Sequence, residues 1–553
     1  MHAAGRLARP GVREYALRVK TITALAAAVL LSSSLALTAC SSGGGGAGGG
    51  IATVNAGEPQ NPLVPTNTNE NMGGRVVDRL WAGLKYYDAD GNAHNEVAQS
   101  IESTDRQHYK ITLKPDWKFT NGEAVTAKSF VDAWNYGALA TNAQVQNWVF
   151  APIAGYDDVS ATPPKAQAMS GLKIVDDHTF TVDLIHPSID FELEMGFAPF
   201  YPLPSVAYKD MKAYGANPIG NGPYKMAASD AWKHNVSIDV VPNPDYHGGR
   251  PPKNKGLKFV MYQSYETAYN DLLAGNLDAL DTIPDNALTT YKKDLGDRAI
   301  SKPTAQDQHL GIQQNVPHFG GPEGVLRRQA VSMAINRKEI ADNIWHGTKN
   351  PARDFATASL PGFTADLPGE DMLQYNPDKA KQLWAQANAI SPWSGTFEIA
   401  YNSDGGHQAW IDATANSIKN TLGIEAIGKP SPTFKQIRDQ VHNKTIGAAF
   451  RYGWQADYPS ILEFLSSQYT CGSDTNDVAY CNPDFDALLN KAEAAPTANE
   501  EFTFAAQAQA VLIKDMADIP VLDYIANGGR SENVQAAPMT YSGLFDFENI
   551  VKK

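Results

Sequence analysis

The stretch Ala448 to Ser460, AAFRYGWQADYPS, decides how the chain is read. Its apolar lead (Ala448, Ala449, Phe450) suits the end of a strand close to a core. In quick succession it then carries a fixed cation (Arg451), large aromatics (Tyr452, Trp454), a strand-breaking Gly453 and an anion (Asp457). Pro459 stops any continuation as a ladder strand. A cation and a carboxylate at this spacing on extended chain stand up to about 20 Å apart, and nearer if Gly453 bends the backbone. That length suits a short zwitterion held at both ends, such as a peptide of about two to five residues. The pattern also fits an ordinary strand-to-loop junction whose charges pair with protein groups. The rest of the chain has to decide.

Residues 1–39 read as a signal peptide. Arg6, Arg9, Arg13, Arg18 and Lys20 form a basic lead, and Thr21 to Ala39 runs uncharged and mostly apolar into Leu37-Thr38-Ala39-Cys40. No basic stop-transfer cluster follows, which disfavours a spanning helix. Leu-Thr-Ala-Cys resembles the bacterial lipobox, whose cysteine is lipidated and becomes the new N-terminus. Cys40 and the tether Ser41 to Gly50 (SSGGGGAGGG) are then a lipid anchor and a flexible leash over residues 40–50. The expected location is the outer face of the cytoplasmic membrane.

Roughly 510 residues remain, enough for two or three cores. The whole chain carries a formal charge of −14. Without the five basic residues and one acidic residue of the leader, 41 Lys+Arg face 59 Asp+Glu, a charge of −18. That sign argues against nucleic acid or anionic lipid as the main partner. Cys471 and Cys481 read as one disulfide closing a small loop, contributing about 2.5–3 kcal/mol in the chain-entropy model. A metal pair would want histidines nearby.

Periodicity gives an alternating α/β chain. Ile51 to Val54 is a short strand, and Arg75 to Leu84 places Val76, Val77, Leu80 and Leu84 on one helical face. Tyr109, Ile111 and Leu113 alternate as a half-buried strand, as do Phe180, Val182 and Leu184. Thr126 caps a helix carrying Phe130, Val131 and Trp134. Gly220-Asn221-Gly222-Pro223-Tyr224 reads as a tight, glycine-dependent turn. Ser264 caps a helix closed by Gly275, and Leu277 to Ile283 follows as a strand. Leu326 to Ile335 is helical. Asn336 with Glu339 opens another helix through Trp345, and Asn376-Pro377 and Asn482-Pro483 open two more. Pro520 to Tyr524 is a strand entering the C-terminal segment.

Catalytic signatures are missing. The chain has no His-Glu-x-x-His, Gly-x-Ser-x-Gly, P-loop or Cys-x-x-Cys, and its histidines (His247, His309, His318, His346, His407, His442) lack metal-ligand spacing. No cofactor is expected. A series of short pieces does carry information: Val97-Ala98-Gln99-Ser100, Trp117 to Ala127 (WKFTNGEAVTA), Gly220 to Tyr224, Asn243-Pro244-Asp245-Tyr246, the Leu272–Gly275 helix end, Arg327-Arg328-Gln329-Ala330 to Asn336-Arg337, and Gly453 to Tyr458 (GWQADY). In this order, behind a lipobox, they resemble bacterial extracellular solute-binding proteins of family 5, the oligopeptide- and dipeptide-binding lipoproteins of ABC importers.

The resemblance implies a two-lobe periplasmic-binding-protein-like α/β fold (type II, three-domain cluster C variant) with a hinge between the lobes. Lobe one would span 51–305 with 90–204 inserted, lobe two 306–517, and 518–553 would return to lobe one. It further implies a non-enzymatic monomer that traps short peptides and delivers them to an ABC permease and its ATPase subunits. By motif, Asp457 would take the ligand's α-ammonium, Arg451 its carboxylate, and His407 would face that carboxylate, with Trp454 and Tyr452 as aromatic wall. The chain departs from the oligopeptide pattern near His442, where an arginine is missing, and near Ile344, where a lysine is missing. A non-peptide solute such as an oligosaccharide, metal chelate or glutathione-like molecule is the alternative within the fold, and a surface-displayed hydrolase the alternative outside it.

Overall fold

Two long strands cross the middle of the molecule and pair with each other along most of their length. Ala299–Gly311 and Ile519–Arg530 run antiparallel, from Ala299 opposite Gly529 to Leu310 opposite Ile519. The ladder is interrupted between Pro303 and Asp307, where proline has no N–H to give. The computed structural model describes residues 50–553 except 404, 405 and 474, so the expected leader, lipidated Cys40 and most of the tether lie outside the described residues.

The crossing pair is the centre of a twelve-stranded sheet. On one side follow Ala449–Tyr452, Phe397–Asn402 and Ala426–Ser431. On the other follow Ala279–Leu280, Ala52–Ala56, Leu257–Met261, Ser237–Pro242 and Tyr224–Met226. Ala52–Ala56 is parallel to Leu257–Met261, and Phe397–Asn402 is parallel to both of its neighbours. Parallel neighbours need long crossovers, supplied in the second case by the helix Gln408–Leu422. Each end of the sheet has its own core. One gathers Leu310, Trp410, Phe450 and Leu522, the other Val54, Trp81, Phe259 and Phe547. This is a two-lobe α/β fold with the crossing strands as the shared seam.

Residues 90–204 contain a separate four-stranded antiparallel sheet of Ala98–Glu102, His108–Leu113, Thr179–Asp183 and Leu172–Asp176. The helix Ala127–Ala138 packs on it through Phe130 and Trp134 against Phe180. These side chains continue into the core of Val54 and Trp81. The C-terminal residues Val534 to Ile550 enter the same core.

Local chemistry explains where elements begin and end. The helix expected from Arg75 begins earlier, at Asn71, because the Glu70 carboxylate accepts the N–H groups of Met72 and Gly73. It also ends earlier, at Leu80, and Leu84 leads instead into the strand Lys85–Tyr87. There the Leu80 carbonyl accepts the Gly222 N–H at 2.8 Å, and a Cβ at Gly220 would lie 1.8 Å from the same oxygen. The Asn221 amide then bridges Ala82, accepting its N–H at 3.1 Å and donating to its carbonyl at 2.9 Å. Glycine at 220 thus serves close approach rather than a turn. Ser264 and Gly275 cap the helix Tyr265–Ala274 as their types require. Of Leu277 to Ile283, only Ala279–Leu280 joins the ladder, and the helix opened by Asn336 stops at Asn343. Cys471 and Cys481 are disulfide-bonded between the helices Ile461–Tyr469 and Pro483–Glu493.

Candidate functional site

Beyond Tyr452 the chain leaves its ladder and runs beside the interrupted part of the crossing strand. The Asp307 carboxylate accepts the Trp454 N–H at 2.8 Å, and the Asp307 N–H donates to the Trp454 carbonyl at 3.0 Å. Ala456 N–H donates to the Ala305 carbonyl at 3.0 Å, and Gln306 and Gln455 form a bridge. Gly453 is required for this approach, since a Cβ would stand 2.4 Å from the Asp307 carbonyl oxygen. Ser460 then caps the helix Ile461–Tyr469, accepting from the N–H groups of Leu462 and Glu463. The segment carrying Asp457 is therefore fixed at both ends.

Asp457 is half-buried in the wall of a cavity of about 570 Å³, with Tyr87, Trp148, Phe197 and Tyr541 around it. Trp148 is 53% exposed and presents an uncovered indole there. Among the described residues no cation lies within ion-pair distance of Asp457, and no hydrogen bond ends on it. Burial pushes its carboxyl up to about 6. Behind it, Glu463 accepts the Trp454 indole N–H at 2.9 Å and is pushed well above the carboxylate range by burial and by Asp457.

Further carboxylates line the contact of residues 188–194 with Tyr458, Ser460 and Glu493. Ser188 Oγ donates to Glu493 at 2.7 Å, Tyr458 OH to Glu194 at 3.0 Å, and Ser460 Oγ to Asp190. Burial raises Asp190 to about 6 and Glu194 to about 8. Each of these acids accepts one hydroxyl donor, and burial favours their neutral forms.

A second cavity of about 290 Å³ shares Asn71, Arg75, Gln455, Ser542 and Leu544 with the first, so the two form one cleft past the start of the helix Asn71–Leu80. Its floor holds Arg75 paired with Asp281 at 3.0 Å, both buried. Its far end holds Trp345, Lys349 and Tyr524. Residues between 68 and 288 face residues between 304 and 544 across the cleft. Asn71 and Gln455 touch across it at 3.4 Å.

The other expected site residues are placed differently. Arg451 and His407 line neither cavity. Arg451 Nε donates to Asn402 at 2.8 Å with its guanidinium over the Phe434 ring at 4.8 Å. His407 precedes the helix Gln408–Leu422 and accepts the Trp410 indole N–H at 3.2 Å. Tyr452 belongs to the core: it is 8% exposed and packs edge-on against His309 and beside Phe450. An inward position on an antiparallel ladder accounts for this. Trp454 stands behind the cavity wall, holding Glu463. Sequence reasoning missed Lys349, Trp345 and Trp148, which no local pattern marks.

The family described as bacterial extracellular solute-binding proteins, family 5, matches residues 92–476. The oligopeptide-binding protein OppA of Bacillus subtilis is 25% identical over 503 residues, covering 88% of this chain and 90% of its own. A dipeptide-binding protein of Lactococcus lactis is 27% identical over 449 residues, covering 76% and 79%. Among solved structures, the unliganded open form of the murein tripeptide-binding protein MppA superposes with a TM-score of 0.77 at 21% identity, covering 91% of this chain and 97% of its own. OppA of Haemophilus influenzae, in complex with RPPGFSPFR, gives 0.71 at 22% identity, covering 91% and 99%.

Proposed function

Because the chain belongs to the bacterial extracellular solute-binding proteins of family 5, we propose that it captures short peptides outside the cytoplasmic membrane and delivers them to an ABC permease. The observation that carries the peptide assignment is Asp457. It is a half-buried carboxylate in the wall of a half-open cavity, with no cation among the described residues within ion-pair distance. A protonated amino terminus supplies the missing charge. Charge-assisted hydrogen bonds of this kind contribute roughly 1.5–3 kcal/mol. The indole of Trp148 and the ring of Tyr87 offer apolar surface to whatever follows the ammonium.

The ligand acts on an equilibrium between open and closed lobes. The crossing strands Ala299–Gly311 and Ile519–Arg530 are the connection about which the lobes rotate, and the break at Pro303–Asp307 is the compliant point. A ligand touching Asp457 in lobe two and the helix start at Asn71 in lobe one favours the closed state. The loaded, closed form is what the permease recognises, and the protein carries out no covalent chemistry. In this account Cys40 is lipidated, residues 41–50 tether the body to the membrane, and the body works as a monomer.

Thermal-shift screening against di- to pentapeptides, sugars and metal chelates tests this reading. Stabilisation by peptides that grows with ln(1 + [L]/Kd) supports it. Stabilisation by sugars or chelates alone overturns it.

A further inference from the structure

Beside the Asp457 end of the cleft, residues 188–194 meet residues 458–501 with no strand ladder of the described residues between them. The contact hangs on a few hydrogen bonds. Ile189 N–H donates to the Glu493 carbonyl at 2.8 Å. The hydroxyls of Ser188, Tyr458 and Ser460 donate to the side chains of Glu493, Glu194 and Asp190. Ile189 packs on the core of Leu310 and Trp410, and the rings of Phe197 and Tyr458 meet at 6.4 Å. Phe197 lines the larger cavity and Tyr458 follows Asp457, so the contact borders that cavity.

Every side-chain acceptor named in this contact is a carboxyl, and more acids stand behind. Glu463 and Glu501 are 4% and 7% exposed, about as buried as Asp190 at 4%. The Asp190 charge acts on each of Glu194, Glu463, Glu493 and Glu501, and Asp457 acts on Glu463 from the cavity side. The cations within reach are engaged elsewhere. Lys85 at 2.8 Å and Arg106 at 3.6 Å both pair with Glu192, and Arg106 acts on Glu501 only at longer range. Among the described residues no cation lies within ion-pair distance of Asp190, Glu194, Glu463, Glu493 or Glu501. One oxygen each of Glu194 and Glu463 is buried without a hydrogen-bond partner. Carboxylates packed in this way repel one another and lose their hydration, and neutral carboxyls escape both costs.

We infer that this contact is a proton-operated clasp, which holds while Asp190, Glu194 and Glu493 carry protons and loosens as they ionise, freeing the Asp457 end of the cleft. In the contact, burial raises Asp190 to about 6 and Glu194 to about 8, and burial with the neighbouring acids holds Glu493 well above the carboxylate range. Once the contact parts, the same groups face water, where they ionise near about 4. A carboxyl raised in the contact favours it fully below about pH 4, and that contribution is lost as the pH rises through about 8. Acid therefore tightens the clasp, and neutral to alkaline conditions release it. The device uses protein groups alone and does not depend on which solute the cleft takes.

The test is hydrogen exchange of the Ile189 amide in the ligand-free protein between pH 5 and 8.5, corrected for the intrinsic exchange rate. From pH 5 to 8.5 wild type should lose at least tenfold in protection at Ile189, while the neighbouring ladder strand Thr179–Asp183 keeps its own. Asp190→Asn, Glu194→Gln and Glu493→Gln combined, which are neutral at every pH, should hold the protection of Ile189 within threefold across the range. Each substitution alone should reduce the loss, and the single variants decide the matter if the combined one does not fold. Protection at Ile189 that ignores pH in wild type overturns the clasp, as does a full tenfold loss surviving in the variants. A parallel loss in Thr179–Asp183 overturns it too, because the whole region would then be loosening. With no ligand present, none of these results bears on the peptide reading.

Discussion

Asp307 and Trp454 exchange hydrogen bonds in both directions, carboxylate to N–H at 2.8 Å and N–H to carbonyl at 3.0 Å. The first joins a side chain of the crossing strand to the backbone three residues before Asp457. The cleft wall and the seam between the lobes are thus one connected piece, and glycine at 453 is what lets the two backbones meet.

Gly453→Ala should therefore act on both. A Cβ placed 2.4 Å from the Asp307 carbonyl forces the backbones apart, which costs about 1–3 kcal/mol as overpacking does elsewhere. Urea denaturation reads the loss of stability. Peptide affinity should fall at least tenfold, because the displaced segment is the one that aims Asp457.

His309 sits buried between two carboxylates, Nε2 3.0 Å from Asp307 and Nδ1 3.1 Å from Asp518. Burial opposes its charge, but the two acids prevail and hold the imidazole at about 10. A base whose folded value is raised stabilises fully below its unfolded value of about 6.5 and loses that contribution as pH climbs through about 10. Denaturation midpoints between pH 6 and 10.5 should decline accordingly. His309→Ala, which leaves buried acids without their cation, should cost about 3–5 kcal/mol at pH 7 and flatten that decline.

The helices that sequence anticipates are the ones whose ends are written locally. Ser264 with Gly275, Asn376 with Pro377 and Asn482 with Pro483 each set a boundary within a few residues, and the structure uses them. The helix from Asn71 stops short of its apolar pattern at Leu80, whose carbonyl is taken by the Gly222 N–H from far along the chain. The site divides the same way. Asp457, marked by a contiguous motif, lines the larger cavity, whereas the place of Trp148 beside it has no local signal, since an uncovered indole in that wall exists only once distant segments meet. Tyr452 looked like site wall from its neighbours in sequence, and the ladder turns it into the core.

Ligand affinity should depend on pH through Asp457 and through the peptide's own amino group. Asp457 must be ionised to hold an ammonium, so affinity should fall by up to tenfold per unit below about pH 6. The peptide's amino group, titrating near about 8, adds an alkaline limb. Calorimetry across pH 5–9 should give a bell that loses its acid limb in Asp457→Asn.

The Cys471–Cys481 disulfide, with a sequence separation of 10, lines neither cavity of the cleft. Replacing both cysteines by serine should lower stability by about 2.5–3 kcal/mol through loop entropy. Peptide affinity of the folded variant should stay within twofold of wild type, which calorimetry checks.

The central claim is that Asp457 grips a protonated amino terminus, and comparing a peptide with its N-acetylated form addresses it most directly. Calorimetric titration at pH 7 should show wild type binding the free peptide at least tenfold more tightly than the acetylated one. Asp457→Asn should bind both alike, at the weaker level. Equal affinity of the two peptides for wild type, or a full preference surviving in Asp457→Asn, would contradict the account.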